Sequence, residues 1–207
     1  MTRIVDRGAI VAAYVGIGMA ITIAVSFLLV IPIEPIYWLL VVPAGLTIGY
    51  YANSRSNRAA GPWGRILANG LFAGFVTGLT LAALLLGVKG LFFFADNGYP
   101  DFNRVDEDGS PIPPFCDPGA GCVYARYLAD GRGDVLAAEG VTDAASFTPF
   151  YWNQQFATAG ILLVLTSGAG LGGALLYGLA RPRGAEAEAT GSARKNTSPA
   201  GRAPSQP

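Results

Sequence analysis

Four long apolar runs constrain this chain more than any other feature of its sequence. They cover residues 9–31, 36–52, 66–88 and 156–180, and none of them contains a charged side chain. A helix needs about 20 apolar residues to cross the hydrocarbon layer of a bilayer. The sequence therefore predicts an all-α integral membrane protein, a bundle of four transmembrane helices that passes several times through the cell (plasma) membrane.

The composition agrees with this class and narrows the chemistry. Only 14% of the residues are charged and the mean hydropathy is +0.41, whereas about 25% of the residues of a soluble domain are charged. Histidine is absent, which removes the usual general base and the commonest metal ligand. We therefore expect no enzyme activity, cofactor or metal. Arginine outnumbers lysine and glycine is abundant, a bias typical of a GC-rich bacterial genome.

Arginines lie close to the ends of the apolar runs in three segments of the chain. Residues 1–8, 53–65 and 181–207 carry Arg3, Arg7, Arg55, Arg58, Arg65, Arg181 and Arg183. Because positive residues near span ends stay in the cytoplasm, we expect these three segments, and so both termini, to be cytoplasmic. The connection formed by residues 95–155 is then extracytoplasmic. Residues 181–207 contain almost no bulky apolar side chain, which predicts a disordered tail.

Two positions beside the apolar runs admit more than one interpretation. Arg3 and Arg7 precede the first run, as in a cleaved signal peptide, but the run is long for that purpose and no small-residue cleavage site follows it. A retained helix is therefore favoured. Lys89 follows the third run, and we expect its amine to extend outward to water rather than to bind a substrate.

Small residues recur at every fourth position within the apolar runs. The positions that we assign to helix packing are Gly16, Ala20, Gly70, Gly74, Gly78, Gly168 and Gly172. Spacing of four places such residues on one helix face, where two backbones can approach closely. The alternative is that a composition rich in glycine and alanine scatters small residues by chance. Whether the partner helix belongs to this chain or to another subunit stays open.

Cys116 and Cys122 are the only cysteines, and both lie in the long connection between the third and fourth runs. The intervening sequence Asp-Pro-Gly-Ala-Gly favours a turn, and this side of the membrane is oxidising. We therefore predict a structural disulfide between them. The alternative is a redox-active pair, although catalytic dithiols favour two intervening residues.

The sequence Gly168-Ala-Gly-Leu-Gly-Gly173 matches the dinucleotide-binding pattern. That pattern requires a preceding strand and a helix start that faces water. Here it lies in the middle of an apolar run, which argues against nucleotide binding.

These features favour a non-enzymatic membrane protein, an accessory or assembly subunit or a scaffold that acts through helix packing and an acidic extracytoplasmic loop. Its expected partners are the lipid bilayer and either other membrane subunits or further copies of itself, and no nucleic acid. The alternative is a small transporter or channel formed by oligomerisation, with hydroxyl-lined faces. A thiol oxidoreductase that uses Cys116 and Cys122 is a third possibility.

Overall fold

The structure, a computed structural model, describes residues 5–26, 34–56, 62–95, 108, 110 and 113–180. All regular structure within these ranges is helical. The helices are α1 (Arg7–Ala24), α2 (Glu34–Arg55), α3 (Trp63–Phe94), α4 (Ala120–Ala129), α5 (Gly133–Ala138) and α6 (Ala144–Ala180). The predicted all-α class is therefore confirmed for the described part of the chain.

Three of these helices, α1, α3 and α6, are long and apolar enough to cross a membrane. They contain 18, 32 and 37 residues, and they indicate a membrane protein. Helix α2 has 22 residues but is less apolar, because its last turns contain Asn53, Ser54 and Arg55. Residues 27–31 of the first predicted span lie outside the described residues, as does the tail 181–207.

Two helices extend beyond the predicted spans at the end that carries α4. Helix α3 continues past residue 88 to Phe94, and α6 begins at Ala144, within the segment 95–155 that we predicted as a loop. The inward spacing of α6 continues through Phe147 and Tyr151, which are both buried. At a rise of about 1.5 Å per residue α6 is roughly 55 Å long, so its first turns project beyond a hydrocarbon layer of about 30 Å.

The four long helices alternate in direction. Helices α1 and α3 are parallel to each other, and α2 and α6 run the opposite way. Asp6 contacts Asn69 and Gly16 lies against Thr77, so α1 and α3 run in the same direction. Gly45 lies against Thr166 and Gly49 against Gly170, so α2 and α6 also run in the same direction. Gly70 lies against Ala174 and Gly78 against Thr166, so α3 and α6 are antiparallel. This is the order expected when successive helices cross one layer, each in the direction opposite to the last.

Small side chains face inward in this bundle and many large apolar side chains face outward. One buried cluster consists of Ala9, Ala12, Ile48, Ala52 and Ala73. By contrast, Tyr14 is 72% exposed and Val164 is 71% exposed. In water this arrangement would leave large apolar side chains exposed to solvent. In lipid the outward residues are solvated by acyl chains, and close backbone packing holds the helices together.

Helices α4 and α5 form a cap on the ends of α3 and α6. The cap core contains Phe93, Leu136, Val141, Phe147 and Tyr151, and the ring of Phe147 lies 5.0 Å from that of Tyr127. The predicted disulfide is confirmed: Cys116 and Cys122 are bonded, with their Cα atoms 5.4 Å apart, and it ties the preceding loop to α4.

Candidate functional site

The bundle interior contains a point where the backbones of three helices touch. We call it the glycine junction, and it consists of Gly49 of α2, Gly70 and Gly74 of α3, and Gly170 of α6. A Cβ built on Gly170 would lie 2.5 Å from the carbonyl oxygen of Gly70 and 2.9 Å from the Cα of Gly74. A Cβ on Gly49 would collide with the carbonyl of Gly170. Any side chain at the junction would therefore force helices apart.

Two threonines fill glycine notches beside the junction. Thr166 of α6 lies against Gly78 of α3, and Thr77 of α3 lies against Gly16 of α1. Both threonines are fully buried. Their hydroxyls donate to carbonyl oxygens of their own helices, 2.6 Å to Leu162 and 2.9 Å to Ala73. These hydroxyls are therefore satisfied within the bundle, as the polar groups of a membrane interior must be.

The structure brings most of the proposed packing residues together inside this one chain. Gly16, Ala20, Gly70, Gly74 and Gly78 are all buried. The partner faces of the four glycines are α2, α3 and α6 of the same chain, and Ala20 belongs to a buried cluster with residues of α2, α3 and α6. For these five positions the partner helices are therefore internal.

The remaining two positions, Gly168 and Gly172, do not belong to the inward row of α6. Gly168 is exposed, and a Cβ built on it meets nothing within 4 Å. Gly172 is half-buried, with only Leu46 nearby at 3.0 Å. The row that packs is Gly170, Ala174 and Gly178. A shift of two residues turns a helix face by roughly 200°, so the two rows point in nearly opposite directions.

A cluster of polar side chains joins the ends of α1, α2 and α3. We call it the amide cluster, and it contains Asp6, Asn53, Ser56 and Asn69. The Oδ1 of Asn69 accepts a hydrogen bond from the backbone N–H of Asp6 at 3.0 Å, and its Nδ2 donates to Asp6 Oδ2 at 3.0 Å. The same Nδ2 lies 3.4 Å from both Asn53 Oδ1 and Ser56 Oγ. One amide thus links three helix ends.

Both amides of this cluster are buried and fully used. Asn53 Nδ2 donates to the carbonyl of Gly49 at 3.1 Å and to that of Ile66 at 3.0 Å, which fixes α2 against the first turn of α3. Neither residue is among the sites predicted from the sequence. The signal was available: Asn69 is the only side-chain amide within the run 66–88, and an amide in an apolar run requires a buried partner.

A second polar level lies near the cap. Lys89 is 8% exposed and Gln155 is 9% exposed. Each lies one helical turn from the stacked rings of Phe93 and Tyr151, which are 4.9 Å apart. Because α3 and α6 are antiparallel, Lys89 and Gln155 occupy the same level. Lys89 is thus buried rather than extended into water, since α3, α6 and the cap all continue past it.

The two polar levels are separated by about the thickness of the hydrocarbon layer of a bilayer. Asn69 and Lys89 are 20 residues apart on α3, which corresponds to about 30 Å along a helix axis. The hydrocarbon layer is also about 30 Å thick. Between these residues the buried positions of α3 are glycine, alanine and leucine, with Thr77 as the one polar residue. The levels therefore mark the two edges of the part that suits hydrocarbon.

The chemistry of these groups is that of packing and hydrogen bonding. Among the described residues, no three His, Cys, Asp or Glu side chains lie close enough together to hold a metal ion. Comparisons with protein families, with characterised proteins and with solved structures found nothing that matches this chain.

Proposed function

We propose that α2 also crosses the membrane, so that the chain spans it four times. Its 22 residues reach about 33 Å, enough to cross hydrocarbon. It packs against α1, α3 and α6 and contributes Gly49 to the glycine junction. On its outer side Leu39, Val42 and Tyr50 are exposed, an arrangement suited to lipid. A helix lodged among three membrane spans shares their environment.

We further propose that the amide cluster lies at the cytoplasmic side of a bacterial plasma membrane and that the cap is extracytoplasmic. Arg7, Arg55 and Arg65 belong to the helix turns around the amide cluster. The disulfide lies at the other end, where an oxidising compartment would allow it to form. Positive charge and disulfide thus favour the same orientation.

For the function, the proposal is a non-enzymatic accessory or assembly subunit, or a scaffold, that presents the cap on a rigid bundle. One observation carries it: the inward faces are closed by backbone contact at the glycine junction. A partner must then use the outward faces or the cap, where Phe115, Leu128 and Val135 are exposed. Gly168 remains a prediction for such a contact, because its face of α6 is open to another helix.

Two substitutions in α6 separate folding from association. Gly170→Leu should force α2 and α3 away from α6 and lower the free energy of unfolding by about 1–3 kcal/mol or more. Gly168→Leu should leave stability unchanged and weaken association with the partner subunit or with further copies, because it fills the open face. The measurements are thermal unfolding and co-purification in mild detergent.

The matched control is Gly87→Leu on α3. Gly87 is also exposed and has nothing within 4 Å of a built Cβ, so this variant adds the same side chain to a different outward face. If Gly168→Leu recovers the same partners and the same oligomer size as Gly87→Leu, the α6 face is not a contact surface. The accessory-subunit proposal would then depend on the cap alone.

A further inference from the structure

Three arginines lie next to members of the amide cluster along the chain or one helical turn from them. Arg7 follows Asp6 in the chain, Arg55 precedes Ser56, and Arg65 lies one helical turn before Asn69. The hydrogen bonds of Asn69 hold Asp6 and Ser56 at a single point. A Cβ built on Gly8 would lie 2.6 Å from the carbonyl carbon of Arg55, so α1 and α2 are in backbone contact here. The amide cluster therefore fixes three cationic residues around one end of the bundle.

The charge of this group is available to a ligand. Arg7 and Arg55 are exposed and Arg65 is half-buried, and within the ranges that the structure describes none of the three forms an ion pair. The carboxylate of Asp6 accepts from Asn69. Among the described residues at this end of the bundle there are three guanidinium groups and one carboxylate, which leaves a positive excess. Guanidinium is the side-chain group that best matches the oxygens of a phosphate, through paired N–H donors.

Aromatic rings place this end of the bundle at the depth of lipid headgroups. Trp63, the first residue of α3, places its ring against Gly178 near the end of α6. Trp63 is itself partly exposed. The rings of Tyr50 and Tyr177 form an edge-on pair with centroids 5.5 Å apart. Tryptophan and tyrosine favour the interface between hydrocarbon and water, so the arginines around the amide cluster lie where lipid phosphates lie.

The outward face of α1 adds an apolar track to the charge. Ile10 and Tyr14 follow Arg7 at spacings of three and seven residues, and both are exposed. These spacings place all three on one face of the helix. A ligand that binds Arg7 through a phosphate can therefore lay an acyl chain along Ile10 and Tyr14, which a soluble phosphate has no means to use.

From this arrangement we propose that Arg7, Arg55 and Arg65 form a binding site for the phosphate headgroup of an anionic phospholipid. The amide cluster acts as the scaffold that holds the three helix ends together. The site is separate from the Gly168 face of α6, so either can fail without the other.

The test is native mass spectrometry of the full chain, released from detergent after titration with phosphatidylglycerol or with phosphatidylcholine. The intact protein should retain phosphatidylglycerol at lower lipid concentration. Each of Arg7→Gln, Arg55→Gln and Arg65→Gln should weaken its binding about fivefold, and the triple variant about a hundredfold. Arg132→Gln is the matched control, because Arg132 is an exposed arginine of the cap, with its guanidinium 4.9 Å from the centre of the Tyr127 ring.

Three results would overturn the proposal. Equal retention of the two lipids would show that binding does not depend on the charge of the headgroup. An equal loss in Arg132→Gln and Arg55→Gln would show that only the total charge matters. Displacement of phosphatidylglycerol by inorganic phosphate at equal concentration would identify a soluble anion as the ligand. If the triple variant fails to fold, the three single variants and the comparison of the two lipids still test the proposal.

Discussion

At the scale of single residues, the buried amides have the largest influence on how the helix ends meet. Asn69 contacts groups from two other helices through both atoms of its amide. A buried donor or acceptor that loses its partner costs about 1–3 kcal/mol. Because Asn53 and Asn69 are buried, water does not replace a lost bond, and these residues hold the helix ends together.

We predict that Asn69→Leu lowers the free energy of unfolding by about 1–3 kcal/mol. Leucine keeps the branching of asparagine at Cγ but leaves the N–H of Asp6 without its bond to Oδ1. Urea unfolding in detergent measures the change. The control is Asn153→Leu, since Asn153 is exposed on α6 and should tolerate leucine. Equal stability of the two variants would mean that the amide cluster is dispensable.

At the scale of elements, the start of α6 depends on a reciprocal cap. The Oδ1 of Asp143 accepts from the N–H of Ser146 at 2.8 Å, and Ser146 Oγ accepts from the N–H of Asp143 at 3.1 Å. Together they satisfy helix-start groups that lack a partner within the helix. The backbone and hydroxyl hydrogen bonds from Ser146 lower the pKa of Asp143 below its ordinary value of 3.8, against a smaller effect of desolvation.

This pKa shift predicts that the first turn of α6 loosens in acid. A carboxylate with a lowered pKa contributes stability above its unfolded pKa and loses it as the pH falls through the folded pKa. Amide hydrogen exchange at residues 144–147 should therefore rise below pH 3.8. Asp143→Asn keeps a capping oxygen but cannot titrate, so its exchange at each pH corrects for the chemical dependence on acid. If the native chain and the variant respond alike to pH, Asp143 does not control this turn.

At the scale of the whole molecule, the directions of the helices and the positions of the polar levels fit the same arrangement across a membrane. The helices alternate in direction, and the two polar levels are separated by about the thickness of the hydrocarbon layer. The cap and its disulfide lie at one end, while the arginines around the amide cluster lie at the other. One orientation in the membrane therefore satisfies the charge rule, the aromatic rings and the disulfide together.

We predict that Glu139→Cys is labelled by an impermeant maleimide in intact cells and that Ser54→Cys is labelled only after permeabilisation. Both positions are exposed, and they lie at opposite ends of the bundle. The bonded Cys116 and Cys122 remain unreactive when no reductant is added, so the native background serves as the control. The reverse labelling pattern would invert the proposed orientation, and labelling of both from outside would contradict the passage of α2 through the membrane.

The sequence by itself determined the helical class, the disulfide and which residues could form close helix contacts. These follow from local properties: the length of an apolar run, the turn between two cysteines, and a small-residue spacing of four. The spacing could not choose between the Gly168 row and the Gly170 row of α6, because both occur in an evenly apolar helix. Only the tertiary structure decided that choice, since the rotation of a helix depends on which backbones its neighbours bring close. The same holds for Asn69, whose partners are 13, 16 and 63 residues away in the chain, and for Lys89, which is buried where α3 and α6 pack together beyond the apolar run.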